Sequence, residues 1–319
     1  QYCHRHKASL PSFLSEFIVS FYETCFPPKG KSPGTKSSLE TALLGIPIAN
    51  LAKYMTHALN ALEDYFAFDH WRSDPAAIAT YRLRALRKRG LTKYLAYRLQ
   101  KSKLIPTEPG DYRLGLESSI CQYELELKMP KTSASPFVGQ VHAAIDMEFA
   151  VWKLKYACIA LNQAQVLGTT AEISLLSPLL QYLSELPQPL PMLVELYYRL
   201  YHTLKNPDDP SRIEAFWQAY SVPGLAISRD ERIEISQLAE NYCIRADNAG
   251  KQGFLKMLAL QYRSRIDNAV LMDESDSIVP REYKNPNQCF AQTEHVNWAK
   301  KFTAAYKEKL PVGAENVYP

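Results

Sequence analysis

The sequence predicts an all-α protein built from stacked antiparallel helical hairpins. Along residues 37–319, apolar side chains recur every three or four positions, a spacing that gathers them on one face of a helix. Glycine and proline residues separate these segments, and no segment shows a convincing strand pattern. Hydrophobic residues make up 46% of the 319 positions, which is enough apolar material for a core.

The N-terminal residues 1–36 are predicted to form a cap and a linker. Residues 10–26 carry a strong apolar stripe at helical spacing, and this helix should cap the helical array. Residues 27–36 are rich in proline, glycine and lysine, which indicates a linker. Residues 37–319 are then predicted to form one α-helical repeat domain. The chain begins with Gln1 rather than Met, which is consistent with a fragment of a longer protein.

Capping residues predict where several helices begin and end. Pro75 follows Asp74 and should begin a helix that ends at Gly90. Residues 37–40 and 169–172 have the pattern of a capping box, so each is predicted to start a helix. Pro178 either kinks the second of these helices or starts a new one at Ser177. Residues 129–136 and 273–288 are predicted to be loops.

The spacing of the hairpins indicates a repeat architecture. Hairpins are predicted to start near residues 38, 75, 109, 140, 170, 209 and 251. Steps of roughly 30–40 residues are typical of helical repeats such as the TPR. The spacing therefore favours an irregular α-solenoid, a TPR-like superhelix, over a non-repeating globular helical domain. The repeats share no consensus, and no full TPR signature is present.

The predicted core follows the strongest helical stripes. Leucines recur on one face of residues 192–205, and residues 229–248 and 254–270 repeat the pattern on either side of a short glycine-containing connection. We expect burial of five side chains in these segments: Leu196, Leu200, Tyr242, Leu258 and Tyr262. Four tyrosines are also predicted to point inward and to fill space between helices: Tyr156, Tyr182, Tyr197 and Tyr242.

No motif in the sequence supports catalysis, a cofactor or a metal site, so we predict a protein that is not an enzyme. The sequence lacks glycine-rich phosphate loops and the histidine spacings of metalloenzymes. Cys3, His4 and His6 are potential zinc ligands, but no fourth ligand is evident at a suitable spacing. The six cysteines form no CxxC pair, which favours the reducing cytoplasm over a disulfide framework. No apolar run approaches the length of a membrane span.

Residues 81–103 carry basic side chains and no acidic one. The candidate interaction patch in this stretch consists of Arg82, Arg84, Arg87, Lys88, Arg89, Lys93 and Arg98, and Lys101 and Lys103 complete the set. Arg84, Arg87 and Lys88 are expected to face outward. With interleaved tyrosines, such a surface could follow phosphates and stack bases. The favoured alternative is that the charges are simply solvated while five leucines face the core: Leu83, Leu86, Leu91, Leu95 and Leu99.

Three blocks of the chain carry a family resemblance. They cover residues 150–169, 241–245 and 298–311, and they include Trp152, Tyr242 and Trp298. These blocks resemble an uncharacterised bacterial family of TPR-like α-helical repeat proteins. The resemblance covers the middle and the C-terminal half of the chain. It implies a helical array, and it supplies neither catalytic residues nor an established activity.

The function predicted from this fold is binding. Stacked hairpins form a concave surface, so the leading hypothesis is a cytoplasmic scaffold that binds a protein or peptide partner. The alternative is a nucleic-acid-binding solenoid that uses residues 81–103. The net charge of +4 is too small to imply a nucleic-acid or membrane partner by itself, and no membrane partner is predicted.

Overall fold

Twelve α-helices make up most of the described part of the chain. The computed structural model describes residues 48–101, 106–128, 137–170, 172–222, 224–267, 278, 280–293 and 295–310. Its helices are α1 (Ile48–Ser73), α2 (Pro75–Lys88), α3 (Thr92–Lys101), α4 (Pro109–Glu126), α5 (Phe137–Leu167), α6 (Leu176–Glu185), α7 (Met192–Lys205), α8 (Pro210–Tyr220), α9 (Arg229–Asn248), α10 (Phe254–Asp267), α11 (Pro280–Gln292) and α12 (Val296–Tyr306). A 3₁₀ turn follows at Lys307–Lys309. These ranges contain no β-strand, so the all-α prediction is confirmed within them.

The chain divides into two compact units, residues 1–81 and 82–319, and the boundary falls within α2. In the first unit the Trp71 ring on α1 lies edge-on to the Tyr81 ring on α2, with 6.5 Å between the centroids. Leu59 and Phe66 on α1 are more than half exposed. The large apolar core described below belongs to the second unit.

Helix α2 begins and ends where its capping residues predict. Asp74 precedes the helix, and its Oδ1 accepts the Ala77 N–H at 2.8 Å. Gly90 follows the helix with a φ of 67°, a left-handed conformation that glycine adopts without a Cβ clash. The Leu91 N–H then reaches back to the Leu86 carbonyl at 3.1 Å, which completes a Schellman-type cap.

The core of the second unit is built around α5. This helix packs against α4, α6, α7 and α9. Helices adjacent in sequence also pack on each other, namely α7 on α8, α9 on α10 and α11 on α12. The five predicted core residues are confirmed as buried: Leu196, Leu200, Tyr242, Leu258 and Tyr262.

The helix predicted to begin at residues 169–172 begins instead at Leu176. The apolar residues that form its buried stripe start only there, since Leu176, Leu179 and Leu183 are the positions that bury. The hairpin start predicted near residue 170 is therefore wrong by several residues. Pro178 lies in the first turn of α6, where a missing N–H leaves no helical hydrogen bond unmade, so no kink is required.

The loop predicted over residues 273–288 is wrong from Pro280 onwards, because α11 covers Pro280–Gln292. Pro280 occupies the first helical position, where proline is favoured. Tyr283 and Phe290 lie two turns apart on one face of α11, and both are almost fully buried. Their burial outweighs the weak helix propensity of the polar residues and of Pro286 within the helix.

Several predictions concern residues outside the described ranges. They are the N-terminal cap and linker of residues 1–36, the capping box at 37–40, the loop at 129–136, and the side chains of Cys3, His4, His6 and Lys103.

Candidate interaction surfaces

The basic stretch lies on α2 and α3, and two of its arginines turn towards α4. Arg84 Nε donates to Glu117 Oε2 at 2.7 Å, and Arg87 Nη1 lies 2.9 Å from Oε1 of the same carboxylate. Glu117 is only 3% exposed. The expectation that Arg84 and Arg87 face outward is therefore corrected: they compensate a buried carboxylate, which would be costly to leave unpaired.

Six other cations of the stretch are exposed: Arg82, Lys88, Arg89, Lys93, Arg98 and Lys101. Within the described residues, none of the six forms an ion pair with a carboxylate. The apolar side of the stretch is mostly as predicted, because Leu83, Leu95 and Leu99 are buried. Leu91 is 48% exposed, so its predicted core position is wrong.

One face of α3 combines aromatic rings and cations. We call Tyr94, Tyr97, Arg98 and Lys101 the α3 face, because their spacing places them on one side of the helix. The tyrosine rings are nearly half exposed and stack with 6.1 Å between centroids. The Arg98 guanidinium lies 5.3 Å from the Tyr94 ring centroid, and Lys101 Nζ lies 4.6 Å from that of Tyr97. Each ring thus has a cation one turn further along the helix.

A second surface runs along α5. We call its members the α5 stripe: Val138, Ile145, Phe149, Trp152, Tyr156 and Val166, each 38–66% exposed. Their separations fit a repeat of three and four residues, with His142, Ile159 and Gln163 at the intervening positions. Trp152 and Tyr156 stack with 6.1 Å between ring centroids. The predicted inward position of Tyr156 is wrong, since 59% of this residue is exposed.

The opposite side of α5 lies in the core. Ala150, Val151, Leu154, Ala157 and Cys158 on that side are at most 1% exposed. The helix is therefore apolar on two opposite faces, and the described residues cover only one of them. A helix that is apolar all round is normally buried all round, so the α5 stripe is the strongest indication of a binding surface in the described chain.

A buried polar network fixes α5 against α7 and α9. Lys155 Nζ donates to Glu231 Oε1 at 2.5 Å and to Glu234 Oε2 at 2.7 Å, and the Tyr197 hydroxyl donates to the other Glu231 oxygen at 2.5 Å. Burial alone would lower the pKa of Lys155, but hydrogen bonds to the two carboxylates outweigh it and raise that pKa. Burial, followed by the Glu231 charge, raises the pKa of Tyr197. The network holds Lys155 protonated and keeps the α5 stripe turned away from the core.

Two open grooves also lie in the second unit. One of about 420 Å³ lies beside α7 and α8 and has His202 in its wall. The buried Nε2 of His202 has no hydrogen-bond partner among the described residues. Burial, followed by the charge of Arg212, lowers the pKa of His202. The other groove, of about 320 Å³, lies beside α10, α11 and α12, where the Arg263 guanidinium lies 4.0 Å from the Trp298 ring centroid. Both grooves lack the continuous pattern of the α5 stripe.

Sequence reasoning missed the α5 stripe although its signal is present in the sequence. The spacing from Val138 to Val166 alternates between three and four residues, as a helix that docks on another helix requires. Helical spacing predicts a core position for Tyr156, but spacing alone does not say which of two apolar faces is covered. The ion pairs of Glu117 have no comparable local signal, because they join α4 to α2, and Arg84 and Glu117 lie 33 residues apart in the sequence.

Comparisons with protein-family models, curated proteins and solved structures found no match to this chain. The family resemblance of the three sequence blocks therefore stays a prediction. Among the helices that the structure describes, none combines the length and the hydropathy needed to cross a bilayer. In the same ranges, no cluster of three or more His, Cys, Asp or Glu side chains is arranged to hold a metal ion.

Proposed function

We propose that this chain is a non-catalytic helical scaffold that binds an apolar helix of a partner protein along the α5 stripe. The observation that carries the proposal is the second apolar face of α5, which the described part of the chain leaves exposed although it lies opposite a face buried in the core. Several large apolar side chains exposed along one helix face mark a site of protein association.

The pattern of the α5 stripe indicates what the partner presents. A helix can lay side chains at positions i, i+3, i+4 and i+7 between those of the α5 stripe. From Val138 to Val166 the stripe extends over about 42 Å at 1.5 Å per residue, which suits a partner helix of several turns. Trp152 and Tyr156 lie near its middle, where large aromatic side chains contribute most to binding.

The proposed architecture is an irregular, TPR-like α-solenoid. Its support is the packing of consecutive helix pairs from α7 to α12. We also propose a reducing, cytoplasmic environment. The cysteines of the described residues support it, because all four are buried and none forms a disulfide: Cys121, Cys158, Cys243 and Cys289.

A displayed library of amphipathic helical peptides tests the proposal. Binders selected on the wild-type chain should carry apolar residues at heptad spacing. Their binding should be lost on Phe149→Asp or Tyr156→Asp, because a carboxylate in the stripe would be desolvated by the docked helix. Both positions are exposed, so the fold should survive each change.

Leu260→Asp is the matched control, since it places the same charge at a residue on α10 that is 49% exposed. Selected peptides should bind this variant as they bind the wild type. Selection of no helical peptide, or equal binding to all variants, contradicts the proposal. A dimer in sedimentation equilibrium that Phe149→Asp dissociates would identify a second copy of the chain as the occupant and replace the partner named above.

A further inference from the structure

We propose that the α3 face is a separate binding site for single-stranded nucleic acid. The proposal rests on α3 and its neighbouring cations and does not depend on the α5 stripe. It names a ligand class for part of the basic stretch, after Arg84 and Arg87 have been assigned to Glu117.

The charges of this region favour an anion. The sequence contains no acidic residue from Pro75 to Thr107. Glu117 and Glu124 neutralise part of the positive charge from α4, but both face Arg87, and Glu117 is buried against Arg84 as well. The six exposed cations described above are left without a carboxylate partner in the described chain, so a phosphate backbone would meet unneutralised charge.

The rings of the α3 face favour a nucleic acid over other anions. An acidic peptide would satisfy Arg98 and Lys101 but would leave the exposed rings of Tyr94 and Tyr97 unused. Unpaired bases stack on such rings, whereas the bases of a duplex are already stacked. A ring with a cation one helical turn away can contact a base and its phosphate together.

The present partners of these side chains do not block a ligand. Arg98 contacts Tyr94 through its guanidinium and donates to the Tyr94 hydroxyl at 3.0 Å. Lys101 Nζ lies over the Tyr97 ring and forms no ion pair with a carboxylate of the described residues. Cation–π pairs at exposed sites are weak, so a phosphate can draw either cation away from its ring at little cost.

Fluorescence anisotropy with a labelled oligouridylate of roughly 16 nucleotides, as long as the largest site of a single OB-fold, tests the proposal. The wild type should bind in about 50 mM salt and lose affinity as the salt rises. Tyr94→Ala with Tyr97→Ala should weaken binding by about tenfold or more, because each base stacked on a ring adds to the free energy of binding. Affinity should fall less steeply with salt for Arg98→Gln with Lys101→Gln than for the wild type. The slope of log affinity against log salt should become shallower by about 1.4, since each of the two lost phosphate contacts accounts for about 0.7.

Two matched double variants serve as controls. Trp152→Ala with Tyr156→Ala removes another exposed, stacked aromatic pair, and Lys300→Gln with Lys301→Gln removes two exposed lysines of α12. Both should bind the oligonucleotide as the wild type does. Trp152→Ala with Tyr156→Ala should lose binding of the selected peptides but keep oligonucleotide binding, because both residues belong to the α5 stripe. Failure of one proposal can therefore be told from failure of the other.

Three outcomes would overturn the proposal. One is no binding by the wild type in about 50 mM salt, where non-specific contacts are strong. Another is binding that the tyrosine variant leaves unchanged. The third is binding of polyglutamate or of phosphatidylserine vesicles, with dependence on Arg98 and Lys101 but without oligonucleotide binding, which would assign the face to an acidic protein or an anionic membrane.

Discussion

Replacing Leu200 with alanine should destabilise the second unit more than any comparable change at the surface. Leu200 lies on α7 with 0% exposure, in the core that α7 shares with α5. The substitution removes three carbon atoms from a fully packed site. At about 0.8 kcal/mol per buried methylene, the lost transfer energy is about 2.4 kcal/mol. The cavity left behind increases the cost, so we expect a loss of about 3–5 kcal/mol in the free energy of unfolding.

The assay is urea denaturation followed by far-UV circular dichroism, with thermal unfolding as a second measurement. Leu260→Ala on α10 is the control, because Leu260 is 49% exposed and its truncation should cost less than about 1 kcal/mol. For a unit of this size, a loss of about 3 kcal/mol corresponds to a decrease of roughly 6–12 °C in melting temperature. Equal denaturation midpoints for the two alanine variants would refute the assignment of Leu200 to the core.

Two further predictions concern pH. Lys155→Met should cost about 3 kcal/mol at neutral pH, because it leaves the Glu231 carboxylate buried without its cation. Since the pKa of Lys155 is raised in the folded state, this stabilisation is complete below the unfolded pKa of about 10.4 and is lost as the pH rises through the folded pKa. Urea midpoints of wild type and variant should therefore converge in strong alkali, and a constant difference would contradict the assignment. The pKa of His202 is lowered in the folded state, so below about pH 6.5 the unfolded chain binds a proton at this imidazole more readily than the folded chain does. The wild type should therefore lose stability as the pH falls below about 6.5. His202→Gln should make that loss shallower, and identical pH profiles between about pH 7.5 and 5 would count against it.

Local pattern was sufficient for the helices whose apolar stripe faces a single core. Leu196 and Leu200 share one face of α7, and the structure buries both. The same reasoning failed where burial depends on contacts distant in sequence. Arg84 is one of the charges that the local sequence predicts to be solvated, yet it pairs with the buried carboxylate of Glu117 on α4. Tyr283 and Phe290 likewise bury a helix whose composition predicts a loop.

The surfaces were predictable only in part, for a physical reason. The α3 face could be expected in outline, because tyrosines and cations alternate along residues 81–103. The sequence could not show which cations are available for a ligand, because that depends on the position of Glu117 in three dimensions. On α5 the sequence specifies two apolar faces, and only the packing of α4, α7 and α9 decides which one is covered.

The contacts of α5 with α7 and α9 also bear on how the chain unfolds. In a simple repeat array each unit touches only its neighbours, so the ends can fray while the middle persists. Here Lys155 on α5 pairs with Glu231 on α9, although α6, α7 and α8 lie between them in the sequence. Arg245 on α9 also donates to Asn162 and Gln165 on α5 at 2.8 and 2.6 Å. Releasing α9 therefore breaks contacts along α5 as well, and the segment from α5 to α9 should melt in one cooperative step. Hydrogen exchange should report nearly equal opening free energies for these helices. Folding should be slow, because pairing α5 with α9 closes a long loop.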